Sequence, residues 1–136
     1  MNPPSNWAHH DLYAHWQECI WADCIPAQVM QVEVLPQLRV RSYQPGQALW
    51  RRGDAPTAWI GVMGGAAKMC VTTAEGRAVT VGCTAGSWMG EAPLILGAVQ
   101  HSCDAVALHT LTVSMPRVCF DQLRRTYLPF ALFLQE

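Results

Sequence analysis

Gly86-Ser87-Trp88-Met89-Gly90-Glu91-Ala92-Pro93-Leu94-Ile95-Leu96-Gly97-Ala98-Val99-Gln100-His101-Ser102-Cys103 breaks an otherwise regular series of short strands. A glycine precedes a carboxylate, a short helical run follows, and a loop leads back into strand. The first turn of any helix leaves N–H groups without intrahelical partners. A one-turn helix set into a barrel therefore points free donors at the cavity. Those donors suit an anion, and a carboxylate beside them suits hydroxyl groups.

On either side of this stretch the texture is β. The predicted strands are Leu38–Tyr43, Ala48–Arg51, Ala58–Met63, Ala66–Thr72, Ala78–Thr84, Ser102–Leu108 and Leu111–Met115. Val79, Val81 and Cys83 alternate with Thr80, Gly82 and Thr84, and Leu111, Val113 and Met115 alternate with Thr110, Thr112 and Ser114, the period of a strand with two different faces. The predicted turns are Gln44-Pro45-Gly46, Gly53-Asp54, Gly64-Gly65 and Glu75-Gly76, where glycine allows positive φ. Seven short strands with regular turn signals imply an antiparallel barrel, roll or sandwich. Helices flank it. Leu12, Trp16 and Ile20 recur at helical spacing within Trp7–Cys24, with Cys19 beside them, and this face is expected to pack on the domain. A short helix is predicted over Ala27–Leu35, bounded by Pro26 and Pro36. Pro116 opens a helix in which Val118, Phe120 and Leu123 form the apolar stripe. Pro129 then starts Phe130-Ala131-Leu132-Phe133-Leu134, apolar almost all round. The expected organisation is an N-terminal helical segment over 1–37, a β-roll over 38–115 and C-terminal helix over 116–136.

Composition narrows the function. The chain has 136 residues, enough for one domain with an ordinary core. Charged residues are 14%, against a usual ~25%. The formal net charge is −1, and a lone lysine, Lys68, accompanies eight arginines. No basic stripe exists, so nucleic-acid binding by these residues alone is not expected. No uncharged stretch is longer than Ala55 to Ala67, which is shorter than the ~18 residues a spanning helix needs. The first residues lack the basic and apolar blocks of a signal peptide. A cytoplasmic protein with no membrane partner is the expectation.

Against that background, the ordered set Pro45-Gly46, Gly53-Asp54, Gly64 or Gly65, Glu75-Gly76, Gly86 and Gly90-Glu91 resembles the cyclic-nucleotide-binding sensor domain of the Crp/Fnr family of bacterial transcription regulators. The resemblance runs from about Leu38 to Leu123. It implies a mainly β fold, an antiparallel β-roll with flanking helices, followed by a dimerisation helix and a helix-turn-helix domain. The chain would end just inside the dimerisation helix. A small-molecule effector, a cyclic nucleotide or another ligand, and a homodimer are implied. DNA would be reached only through a domain outside this chain, and no catalytic activity is implied.

The family's phosphate-binding cassette reads Gly-Glu, a short helix, then Arg followed by Ser or Thr and Ala. The resemblance implies a ligand site at Gly90, Glu91, Ala92, Leu94, His101, Ser102 and Cys103. Glu91 would accept a hydrogen bond from a ribose 2′-hydroxyl, and Ser102 matches the hydroxyl residue. His101 stands where the family has arginine and Cys103 where it has alanine. Arginine gives a cyclic phosphate a permanent bidentate partner, whereas a histidine is mostly neutral at pH 7 and cannot form that fork. Pro93 removes one more donor from the short helix. Weak or lost cyclic AMP binding is therefore expected. Glu91 could instead only complement its helix dipole, and His101 could be a histidine with no ligand. The six tryptophans, Trp7, Trp16, Trp21, Trp50, Trp59 and Trp88, are expected to be core and packing residues, with Trp88 the one best placed to reach the cavity instead.

Two other readings draw on cysteine and histidine. His9, His10, His15, Cys19 and Cys24 cluster near the N-terminus, a possible metal or iron–sulfur set, against the alternative of a partly exposed helix. No C-x-x-C pair supports structural zinc, and four of the six cysteines, in apolar contexts, are expected to be buried inert thiols. A cupin-like metal enzyme would need an H-x-H pair in the strands. His101 and His109 are isolated, and no Ser-His-Asp order or phosphate loop is present.

Overall fold

The computed structural model describes residues 19–135. Most of the helix expected over Trp7–Cys24, with Leu12, Trp16 and the three N-terminal histidines, lies outside them. Its end is a 3₁₀ turn, Ala22–Cys24. Cys19 packs on the core as expected, but Ile20 is exposed and Trp21 is the fully buried side chain. The next helical run is longer and less regular than predicted. Helix α1, Ala27–Val29, passes into a π turn at Met30–Val34 and a 3₁₀ turn at Leu35–Gln37. Pro36 has no N–H to continue an α-helical ladder, so the end of the run changes hydrogen-bond spacing. It still buries Met30, Val34 and Leu35.

Six antiparallel strands form one sheet: β1 Arg39–Tyr43, β2 Ala48–Trp50, β3 Ala58–Thr72, β4 Ala78–Thr84, β5 Trp88–Met89 and β6 Asp104–Pro116. Their order is β1-β6-β3-β4, with β2 on β6 and β5 on β3. This is the expected antiparallel β-roll with flanking helices, but two of its strands are each double the predicted length. Ala58–Met63 and Ala66–Thr72 are one strand, and so are Ser102–Leu108 and Leu111–Met115.

The cause is a shared bend. The register slips between Val62 and Gly64 and again between Gly65 and Ala67. Opposite them His109 has φ +119, the one non-glycine residue with positive φ among those described. Two bulges therefore turn both strands together without a chain reversal. Gly64-Gly65 is a bend, not the predicted turn. Gly65 has φ +73, and a Cβ there would lie 1.8 Å from the His109 carbonyl oxygen. Gly65→Ala is expected to lower unfolding free energy by about 2–4 kcal/mol. Gly64→Ala, whose Cβ would meet only the Leu111 Cβ at 3.7 Å, is expected to change it by about 1 kcal/mol or less. Urea unfolding of both variants checks the contrast.

The pleat divides the apolar residues into two cores. Trp59, Val113 and Met115 face outward, where Trp21, Ile25, Met30, Val34, Leu35 and the C-terminal helices cover them. Ile60, Val62, Ala67, Cys83, Met89 and Ala105 face the roll interior with Trp50. Helix α2, Glu91–Leu96, is the short insertion, and α3, Arg117–Thr126, and α4, Leu128–Phe133, close the outer layer. Phe120 and Leu123 are buried as expected. Val118 is not part of that stripe: it is 74% exposed, and Cys119 takes its place. The cysteines also depart from expectation, since only Cys83 and Cys119 are buried and Cys70 is exposed; all six are free thiols.

Candidate functional site

The roll interior is closed at one end by the α2 cassette and its return loop. Gly90 caps α2 in the left-handed region, φ +88. A Cβ there would stand 3.3 Å from the six-membered ring of Trp50, so the absent side chain lets the indole lie against the cassette backbone. His101 stacks on the same indole, ring centroids 4.5 Å apart and planes 9° apart. Trp50 Nε1–H donates to the Cys103 carbonyl at 2.9 Å. One tryptophan thus organises Gly90, His101 and Cys103.

The loop between β2 and β3 fastens this arrangement. The His101 N–H donates to the Asp54 carbonyl at 2.8 Å, and the Gly53 N–H donates back to the His101 carbonyl at 2.9 Å. The Asp54 carboxylate accepts from the Arg51 N–H at 2.9 Å, and Asp104 Oδ1 accepts from the Arg52 N–H at 2.6 Å. The side chain at the arginine position is accordingly sealed in, 5% exposed, rather than extended into a cavity. Burial pushes the His101 imidazole below its ordinary pKa, and nearby Asp54 opposes that only in part.

This lowered value has a sign. The unfolded histidine takes up a proton as pH falls through about 6.5, while the folded one resists. Stability from neutral His101 is fully present above that pH and is lost as pH falls towards the folded value. The natural chain is expected to lose unfolding free energy as pH falls below about 6.5, and His101→Gln to flatten that slope. Urea titrations across the range test it; an identical slope in the variant would assign the acid sensitivity elsewhere.

Glu91 is half-buried. Its charge helps burial raise the Cys83 thiol pKa, and Glu91 also lines an outer cavity with Ile20, Trp59, Trp88, Phe133 and Leu134. Ala92 and Ser102 are exposed at the rim. Leu94 turns away from the roll and is buried in the outer core. Trp88 also turns outward and is a packing residue, as expected of the tryptophans, and not a cavity residue. It packs on Trp59 at 4.5 Å and Trp21 at 5.2 Å, over Gly61, where a Cβ would come within 2.7 Å of its ring. Its neighbour Met89 enters the interior instead. Further along the interior face, Met69 pairs with Val81 and Val71 with Val79, and Val71, Val79 and Val81 are partly open to solvent. That stretch of the β3–β4 hairpin is therefore an apolar surface. Among the described residues no three His, Cys, Asp or Glu side chains converge as metal ligands, and none of the helices is long and apolar enough to cross a membrane. The histidines of the N-terminal His/Cys cluster lie outside the described residues.

A β-roll with a short helical insertion after β5 is the architecture of a known domain family. Residues 40–127 match the profile of the cyclic nucleotide-binding domain, and the chain belongs to that family. Solved structures share the fold. The guanosine-bound regulatory subunit of a cAMP-independent protein kinase A from Trypanosoma cruzi aligns with TM-score 0.78 and 18% identity, over 93% of this chain and 44% of that one. The sensor domain of the transcriptional regulator DNR from Pseudomonas aeruginosa aligns with TM-score 0.79 and 16% identity, over 93% of this chain and 85% of that one. A triply substituted variant of the subunit from Trypanosoma brucei, bound to cAMP in its A site, aligns with TM-score 0.71 and 15% identity, over 93% and 50%. The chain thus spans less than half of the first of these and most of the DNR sensor domain. No sequence among the curated proteins matches it.

Proposed function

We propose that this chain is the effector-sensing domain of a Crp/Fnr-like transcription regulator, and that its effector is recognised without a phosphate. The observation that carries the reading is His101, neutral, buried and stacked on Trp50 where the family's arginine would pair with a cyclic phosphate. Glu91 keeps the role of hydroxyl acceptor, with Gly90, Ala92, Ser102 and Cys103 framing the same mouth. The half-open valines supply an apolar wall for a base or another flat ring. The DNR sensor domain, of which the chain covers 85%, supports a regulator of transcription. In the Trypanosoma cruzi neighbour, guanosine, a nucleoside without phosphate, occupies the same kind of fold. The module binds and signals; it does not catalyse. Signal passes through a dimerisation helix that α4 begins, in a homodimer whose DNA contacts belong to a separate domain.

Calorimetric titration at pH 7 tests the ligand reading. Cyclic AMP is expected to bind with a dissociation constant of about 10⁻⁴ M or weaker, and guanosine no more weakly than cyclic AMP. Sub-micromolar cyclic AMP binding overturns the reading and means that another group supplies the missing charge.

A further inference from the structure

A second cavity lies outside the roll, between the end of α2 and the outer surface of α3. Its volume is about 300 Å³, and it is lined by residues 94–97 and by Arg117, Asp121, Arg124 and Arg125. Three guanidinium groups face one carboxylate. That carboxylate does not neutralise them: Asp121 approaches only the Arg117 Nε, at 3.9 Å, beyond hydrogen-bond range. Arg117 is steadied from behind, its Nη1 donating to the Pro56 carbonyl at 3.1 Å. Arg124 is the telling member. Its Nη1 is shut off from solvent and has no acceptor. A desolvated cationic donor without a partner is unfavourable, and a turn of the guanidinium that brings it to an oxyanion in the cavity removes the deficit. The end of α2, across the cavity, does not supply that acceptor either.

We infer that this cavity is a binding site for a phosphate-class oxyanion. Planar guanidinium forks match phosphoryl oxygens in pairs, which distinguishes such a site from a diffuse basic surface. The volume is roughly ten times the share of one water molecule, so it admits more than a single phosphate: a pyrophosphate unit, or a phosphoryl group carried on a small metabolite. The site is separate from the roll mouth, so neither proposal depends on the other.

The test is titration of the chain with pyrophosphate and with glucose 6-phosphate, at constant ionic strength held with sodium chloride, followed by calorimetry and amide chemical shifts. Saturable binding of at least one, with a dissociation constant below about 1 mM, is expected. Tighter binding of pyrophosphate assigns an inorganic source, and tighter binding of the sugar phosphate a metabolite. Arg124→Gln and Arg125→Gln should each weaken it by about 10-fold or more, and Arg124→Lys, which keeps the charge without the fork, should restore only part. Arg125 is exposed, so its variant carries the test should Arg124→Gln fail to fold. Failure of both ligands to saturate by about 10 mM, or affinities unchanged in folded Arg124→Gln or Arg125→Gln, overturns the inference. Capture of polyglutamate but neither phosphate overturns it in favour of an acidic protein partner.

Discussion

A His101→Arg variant is expected to bind cyclic AMP at least ~30-fold more tightly than the natural chain. One partner of a buried charge pair is worth ~2–5 kcal/mol, which sets that lower bound and an upper one of several thousand-fold. The site is prepared for the exchange. Trp50 presents a flat face on which a guanidinium stacks as readily as an imidazole. The backbone bonds of residue 101 to Gly53 and Asp54 do not involve its side chain, so they persist in the variant. Glu91 already opens α2, where the proposed reading has it accept from a ribose hydroxyl. A second deficit lies in Pro93, the third residue of α2, which deprives the first turn of an N–H. His101→Arg with Pro93→Ala should therefore exceed His101→Arg alone. Calorimetry on the natural chain and both variants gives the series. Equal, weak binding in all three would show that the cassette's charge is not what limits cyclic AMP, and that the shape of the roll mouth is.

The β-roll was legible in the sequence because strand alternation and glycine turns are local signals. The boundaries of β4 follow directly from Val79, Val81 and Cys83 against Thr80, Gly82 and Thr84. The merging of four predicted strands into β3 and β6 was not legible. Gly64-Gly65 carries the same composition whether the chain reverses or bends, and only pairing with Thr110 and Leu111, more than forty residues away, decides between them. The cassette itself was legible as Gly90-Glu91 and the return at His101. Its organiser, Trp50, was not, since nothing in a three-residue strand announces which ring will stack on a distant histidine. The direction of Trp88 was not legible for a related reason. Position beside Gly90-Glu91 suggested the cavity, yet side chains alternate along β5, and Gly61 on the adjoining strand opens space on the outer face. Which of Trp88 and Met89 points inward is a one-residue matter of register.

Phe130→Ala is expected to cost about 3–5 kcal/mol of unfolding free energy, the range for removing a buried phenylalanine. Phe130 is fully buried and meets three aromatic rings edge-on: Trp21 at 5.2 Å, Trp59 at 5.6 Å and Phe120 at 5.9 Å. It joins the N-terminal turn, the outer face of β3 and helix α3, so its loss loosens all three at once. The expectation from sequence was a dimer through this apolar segment, Phe130 and Phe133 included, with folding back on the roll as the alternative. Phe130 takes the alternative, and Phe133 and Leu134 partly follow it onto the core. Leu128 and Leu132, four residues apart, remain exposed on α4. A second copy would meet those two leucines and not Phe130. The stability lost in Phe130→Ala should then be the same at every protein concentration, as expected of an interaction within one chain. Leu128→Ser with Leu132→Ser should leave unfolding of the monomer within about 1 kcal/mol of the natural chain while weakening any self-association seen by sedimentation. A Phe130→Ala penalty under about 1 kcal/mol, or one that grows as the protein is diluted, would mean that α4 does not dock on its own roll.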